Sequence, residues 1–443
     1  MNRKARTKIH RHVSPIFIVF ILFFSTAANA AYDIKAFTGA RLMPVSGPII
    51  EDGVLVVRDG KIESVGARPD VVIPVGAEMI DATGKIIIPG LICTHSHIGM
   101  GGGGDSSGPI QPECWTLDSV NVRSASIERA RAGGLTLVNQ MPGSGHLISG
   151  RTTYLKLRRG GTVDELLIHD SEGWPMGGLK MANGTNSQRS APFPGTRAKS
   201  AALVRESYLK AQEYRDKIER AEGDPEKLPD RDLRLEALVE ALEGKRIVHH
   251  HTHRHDDILT VLRLRDEFGF QVVLHHVSDA WKVADEIAAA KAPCSIIVID
   301  SPGGKLEARD IRMENGVVLE NAGVNVAFHT DDFITDSRLF LRSAALGVRA
   351  GMSRAGALRA LTLSGAEMLG LEKRTGSLDA GKDADFAILD GDPFSVYTQV
   401  LETWVEGQQV FDRSDPKQRL YAVGGRGAGD DHAYQCCGER EEQ

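Results

Sequence analysis

Short apolar runs recur along the middle of the chain, each a few residues long and each bounded by turn residues or by a polar helical pattern. They are Leu91–Thr94, Leu135–Gln140, Leu166–His169, Gly178–Ala182, Arg246–His250, Gln271–His275, Cys294–Ile299 and Val324–His329. Runs of this length with apolar residues at consecutive positions read as strands buried on both faces. Between them lie stretches with helical spacing. In 203–220 (LVRESYLKAQEYRDKIER), Val204, Tyr208, Ala211 and Ile218 share one face, and 257–268 and 355–370 show a similar stripe. Strands that alternate with helices predict a parallel sheet, and eight of them predict a closed (β/α)8 barrel of the α/β class.

The two ends of the mature chain follow another rhythm. Residues 33–88 alternate with period two and contain GVLVVRDGKIESVG, in which Asp59-Gly60 separates two strand-like halves. An Asp-Gly pair between alternating runs is a strong hairpin signal. A second β-like stretch, DADFAILDG to VLETWVEGQQVF, occupies about 376–412. The two pieces flank the barrel region and can pair into one small β domain. The predicted organisation is therefore 31–88 and 373–415 as the halves of that β domain, with 89–372 as the barrel. Residues 183–245 form a polar excursion in which helical hairpins are expected, and 416–443 a polar, disordered tail.

The extreme N-terminus changes the compartment. MNRKARTKIHRH is basic, VSPIFIVFILFF is apolar, and Ala28-Asn29-Ala30 fits a small-x-small cleavage site. This pattern predicts a signal peptide over 1–30 and export to the periplasm or outside the cell. The apolar run is short for a membrane span, so no stable membrane anchor is expected after cleavage. Five cysteines, Cys93, Cys114, Cys294, Cys436 and Cys437, form no disulfide framework. Cys93 and Cys294 lie in strand-like runs and read as packing residues. A net charge of −6 excludes a nucleic-acid footprint. The long helical excursion is compatible with a homo-oligomer.

The chemistry lies at the strand ends. In such barrels the groups at the C-terminal ends of the strands face the reaction site. The first run ends in His95-Ser96-His97, and imidazoles at i and i+2 of a strand reach the same side. The fourth run carries Lys180. A buried lysine is costly unless paired or modified, and one with a lowered pKa can take up CO2 as a metal-bridging carbamate. The fifth runs into His249-His250-His251-Thr252-His253-Arg254-His255, where alternation puts 249, 251 and 253 on one side. His251 is favoured as the ligand and His253 as a substrate neighbour, and Arg254 is a candidate clamp for a substrate carboxylate. The sixth ends in His275-His276, with His276 favoured. The eighth ends in AFHTDD, where Asp331 can bind metal and move a proton, with Asp332 as its competitor. Histidine, carboxylate and carbamate suit Zn2+, and other divalent metals are compatible. Two such ions lie about 3.5–4 Å apart in sites of this kind.

On the N-terminal hairpin, PGLICTHSHIG, PGSGHLISG, GLKMANGTN, HTHRHDDI, LHHVSDAWK, FHTDD and GSLDAGKDADFAIL, the chain resembles the amidohydrolase superfamily in its imidazolonepropionase-like branch. The resemblance covers nearly all of the mature chain. It implies a barrel with a β-sandwich made from both chain ends. It implies metal ligands at His95, His97, His251, His276 and Asp331, with carbamylated Lys180 as bridge. It further implies that a metal-bound hydroxide attacks an amide-type carbonyl carbon while Asp331 shuttles the proton to the leaving nitrogen. These motifs leave the substrate open among peptide-like compounds, N-acyl compounds and cyclic amides. Two departures stand out: Cys93 where the branch has Asp, and Thr185 where relatives have Glu in a GEN run. The alternative is a one-metal deaminase or cyclic-amide (imidazolone) hydrolase with Lys180 unmodified and His276 turned to the substrate. A third reading is a non-catalytic metal-binding relative.

Overall fold

The computed structural model describes residues 33–99, 104–105, 107–297, 305–332 and 334–424. The expected signal peptide and the Cys436-Cys437 pair lie outside the described residues. Among the described residues no helix is long and apolar enough to cross a membrane.

The chain opens with β1 (Ile34–Leu42), β2 (Ile50–Arg58), β3 (Lys61–Ala67), β4 (Glu78–Asp81) and β5 (Ile86–Pro89). The β2–β3 hairpin turns at Asp59-Gly60, as the dipeptide predicts. Both residues have positive φ, 49° and 79°, the conformation that matches strand twist in a two-residue loop. The central strands are β6 (Leu91–Ser96), β7 (Leu135–Gln140), β8 (Ile148–Arg151), β9 (Thr153–Lys156), β10 (Leu179–Ala182), β11 (Val248–Thr252), β12 (Val272–His276), β13 (Cys294–Ile296) and β14 (Val326–Phe328). The chain closes with β15 (Phe386–Leu389), β16 (Val400–Val405) and β17 (Gln408–Asp412).

The strands before and after the central region form one eight-stranded sheet, in the order β17-β16-β15-β5-β1-β2-β3 with β4 beside β1. Its apolar face is filled by Phe37, Leu55, Ile87, Phe386 and Trp404, whose aromatic rings meet edge-on or stacked at 5.0–5.7 Å.

The central strands β10 to β14 pair in parallel, and β6 pairs in parallel with β7. The expected third strand is corrected here. Leu166–His169 makes only isolated bridges, to Leu155 and Pro175. Its place is taken by the run 148–156. There β8 lies antiparallel on β10, and β9 lies antiparallel on β7, with only Thr152 between them. This run carries Thr152, Thr153 and Tyr154, all buried, whose β-branched and aromatic side chains fit a pleated, covered surface. The two central sheets also meet: Asp331 N, just after β14, donates to His95 O of β6 at 3.0 Å, and Thr94 of β6 and Ser295 of β13 join their hydroxyls at 2.5 Å.

The excursion after β10 forms two helices, Arg197–Ala221 and Leu233–Leu242. On the first, Val204, Tyr208 and Ala211 are buried as expected, whereas Ile218 is exposed and Tyr214 closes the stripe. The expected single helix over 355–370 is two, Arg354–Leu361 and Leu363–Met368, broken at Thr362 with φ −135° and ψ −93°. The tail expected from 416 begins instead as a helix, Pro416–Ala422. Asp415 caps it and Pro416 starts it, a pairing that presets the first turn.

A buried ion cluster ties the terminal sheet to the central strands. Lys156, at the end of β9, meets Asp383 at 2.7 Å and also Asp385, all three nearly inaccessible, and Thr375 donates to Asp385 at 2.7 Å. Replacing Lys156 by Met leaves Asp385 buried without its cation, while Asp383 keeps Lys61 at 2.5 Å, and breaking a buried pair in this way costs about 3–5 kcal/mol. Urea unfolding of the Lys156→Met protein is expected to show a loss of that size, and a loss under 1 kcal/mol would refute a structural role for the cluster.

Candidate metal and reaction site

At or just beyond the ends of β6, β10, β11, β12 and β14, six imidazoles, one lysine and one carboxylate are packed together and buried: His95, His97, Lys180, His251, His253, His276, His329 and Asp331. The strand pattern brings most of them there. His95 and His97 lie two apart at the end of β6. On β11, pairing Lys180 with His249 and Ala182 with His251 sets His249 and His251 on the inner side, while His250 faces away and meets His251 O.

His275 and His276 are adjacent, so on a straight strand they would point to opposite faces. Both enter the interior because the backbone turns left-handed there, with φ 68° at His276 and 41° at Val277, and Val277 N donates back to His275 O at 2.9 Å. Asp331 also has positive φ, 48°. Such conformations cost about 1–3 kcal/mol each and persist where the surroundings enforce them, often at functional sites.

Asp331 is the hub. Its Oδ1 lies 3.0 Å from His97 Nε2 and 3.2 Å from His95 Nε2, and its Oδ2 lies 4.0 Å from His276 Nδ1. Lys180 Nζ is 3.2 Å from His95 Nε2 and 3.1 Å from Met141 Sδ. His97 Nδ1 is held by Met141 O at 2.7 Å, and His253 Nδ1 by Ser278 Oγ at 2.8 Å. The His251 ring meets those of His276 and His253 at 4.4 and 4.6 Å. Asp332 is turned away from the hub: its oxygens accept from the hydroxyls of Thr330 at 2.6 Å and Ser337 at 2.7 Å. Burial pushes its pKa up.

Among the described residues, three overlapping groups offer ligand atoms within 4.8 Å of one another. They are His95, His97 and Asp331; His95, His276 and His329; and His251, His253 and His276. Several buried ring nitrogens here, His95 Nδ1, His251 Nδ1 and His276 Nε2, have no hydrogen-bond partner among the described residues. Buried polar atoms are seldom left so. Imidazole and carboxylate donors in this density fit a divalent ion such as Zn2+. Burial holds the protonation of His95, His251 and His276 well below the usual imidazole range, and the neighbouring Lys180 and other histidines add to the shift. Neutral imidazole is the form that binds metal.

Two side chains fall differently from the sequence reading. Arg254 is not brought to the cluster. It makes a two-pronged ion pair with Asp256 at 2.9 Å, half-exposed at the start of the helix His255–Phe268. His329, which the sequence reading left unassigned, stacks on His95 at 5.0 Å and lies 3.3 Å from His276 Nδ1. Its signal was the same i, i+2 spacing as His95-x-His97, here His329-x-Asp331.

An Amidohydrolase family model matches residues 210–411. The solved amidohydrolase of Thermotoga maritima MSB8 is 33% identical over 85% of this chain and 100% of its own, with a TM-score of 0.80. The chain belongs to the amidohydrolase superfamily. Its relatives place it in the imidazolonepropionase-like branch. It is 29% identical to the imidazolonepropionase of Bradyrhizobium sp. strain BTAi1, over 77% of this chain and 88% of that one. It is 26% identical over 82% of its length to Amidohydrolase tasK of Hapsidospora irregularis, of which it spans 40%. This amidohydrolase is thus a hydrolase of carbon–nitrogen bonds, from a family that binds divalent metal and acts on small molecules.

The buried imidazoles make its stability depend on pH. Burial pushes His249 and His250 down to about 3. The unfolded chain takes up their protons near pH 6.5, whereas the folded chain refuses them until about 3. Stability is therefore complete above pH 6.5 and falls as pH drops, by about 1.4 kcal/mol per unit for each such residue. Thermal melting is expected to weaken steeply between pH 6 and 4, and a flat profile would contradict this burial.

Proposed function

We propose that this amidohydrolase cleaves an amide-type C–N bond in a small peptide-like or N-acyl substrate, at a centre of two Zn2+ ions. The proposed ligands are His95, His97, His251, His276 and Asp331, with carbamylated Lys180 as the bridge. The observation that carries the reading is the density of buried ligand atoms around Asp331. The central strands are then a (β/α)8 barrel spanning about 89–372, and the terminal sheet is the β-sandwich domain of both chain ends. The segment 1–30 supports export.

A divalent ion held here would acidify water and polarise a carbonyl. The protein's own part follows from its geometry. The proposed role of Asp331, taking the proton of the attacking water and returning it to the leaving nitrogen, is supported by its buried Oδ1 facing His95 and His97. His253, anchored by Ser278, faces the same space and orients the substrate. Exclusion of water strengthens these polar contacts. The reading of Lys180 as the bridge is supported by its contact with His95 and by its electrostatic influence on His251 and His276.

The second reading, a single ion acting on a cyclic amide, is favoured by the likeness to an imidazolonepropionase and by the direct Lys180–His95 contact. Elemental analysis of purified protein separates the two. The two-ion reading expects about two metals per chain in wild type, fewer in Lys180→Ala, and wild-type turnover of dipeptides or N-acyl amino acids. One metal, unchanged in Lys180→Ala, would overturn the bridge and favour cyclic amides.

A further inference from the structure

We propose that Asn186 and Glu307 are a positioning pair that holds His251 with its Nδ1 turned toward the metal ion. The inference rests on the metal reading above and adds two residues to it. The Asn186 carboxamide is buried, and its Nδ2 lies 3.1 Å from His251 Nε2. Nδ1 of the same ring is buried and has no hydrogen-bond partner among the described residues. An imidazole that binds a metal through one nitrogen is commonly held by a neighbour at the other, which fixes both ring and tautomer. Two senses of the Asn186 contact are chemically distinct. If Nδ2 donates, the ring proton sits on Nδ1 and blocks it. A half-turn of the carboxamide exchanges Nδ2 for Oδ1 in the same place. Oδ1 then accepts the Nε2 proton, and Nδ1 carries a bare lone pair. The second sense is the working one.

Asn186 stands there because its turn is fixed from across the top of the strands. The turn Gly184–Ser187 follows β10, and Gly184 has φ 75°. Glu307, from the segment after β13, is nearly inaccessible, and its Oε2 accepts from Thr185 N at 2.7 Å. A Cβ on Gly184 would lie 2.5 Å from that oxygen, so glycine is required by close approach as well as by φ. Arg197, which opens the long helix, meets Glu307 at 3.6 Å and Asp257 at 2.9 Å, joining three segments around the turn. Thr185 stands where the resemblance leads one to expect Glu. The backbone amide of Thr185 is held by the carboxylate of Glu307.

The test is a Zn2+ titration of the full chain against a chromophoric chelator, for wild type, Asn186→Ala, Asn186→Asp, Glu307→Ala and Glu307→Gln. Asn186→Ala and Glu307→Ala are expected to weaken one Zn2+ by about 10–100-fold and to leave any other ion unchanged. Asn186→Asp, which can only accept, and Glu307→Gln, which keeps an acceptor oxygen, are expected to stay within a few-fold of wild type. Melting of each variant without metal shows whether it is folded. Wild-type affinity in Asn186→Ala, or Asn186→Asp as weak as Asn186→Ala, would overturn the pair alone. A wild type that binds no Zn2+ would overturn the metal reading and the pair together.

Discussion

Six imidazoles, a lysine and a carboxylate share one space from which water is excluded, and the rest of this structure serves that arrangement. Each polar atom moved out of water costs free energy unless it finds a partner. Asp331 answers part of that cost by facing His95 and His97 at once. The carbonyl of Met141 and the hydroxyls of Ser278 and Ser295 answer more, each holding one ring nitrogen at 2.7–2.8 Å. The ring nitrogens left over are those that a metal ion would satisfy, so the same burial that burdens folding prepares the site for its ion. It also keeps the histidines neutral, the form in which they can ligate.

Holding such a cluster demands a rigid frame. The parallel strands set register from Lys180 and His249 through His251 and His275 to Ser295. The left-handed residues at the ends of β12 and β14 then re-aim His276 and Asp331 inward. Behind the strands, the terminal sheet is locked to β9 through Lys156 and its two aspartates. Lys156 thereby anchors the three-stranded sheet that carries His95.

Period-two spacing made His95, His97 and His251 legible in the sequence, because a strand fixes which side each residue faces. The Asp59-Gly60 hairpin was legible because its turn chemistry is local. The choice between His275 and His276 was not fixed by spacing, since it depends on a backbone bend that alternation cannot foresee. The antiparallel run 148–156 was missed because its sequence, with a glycine and polar threonines, lacks the continuous apolar signature of a buried strand. The Arg254–Asp256 pair escaped the sequence reading because it forms at a helix start, which strand alternation does not describe. Glu307 and Asn186 are 121 residues apart by number, 307 less 186, and only the fold brings them to the same turn.

The central claim is that a divalent ion is held by imidazole and carboxylate at this cluster. X-ray absorption at the zinc edge, on protein loaded with Zn2+, reads the ligand shell directly. The account predicts nitrogen and oxygen neighbours at about 2.0–2.2 Å, with imidazole outer-shell scattering and no sulfur. A shell containing sulfur, or one of oxygen alone without imidazole, would contradict it.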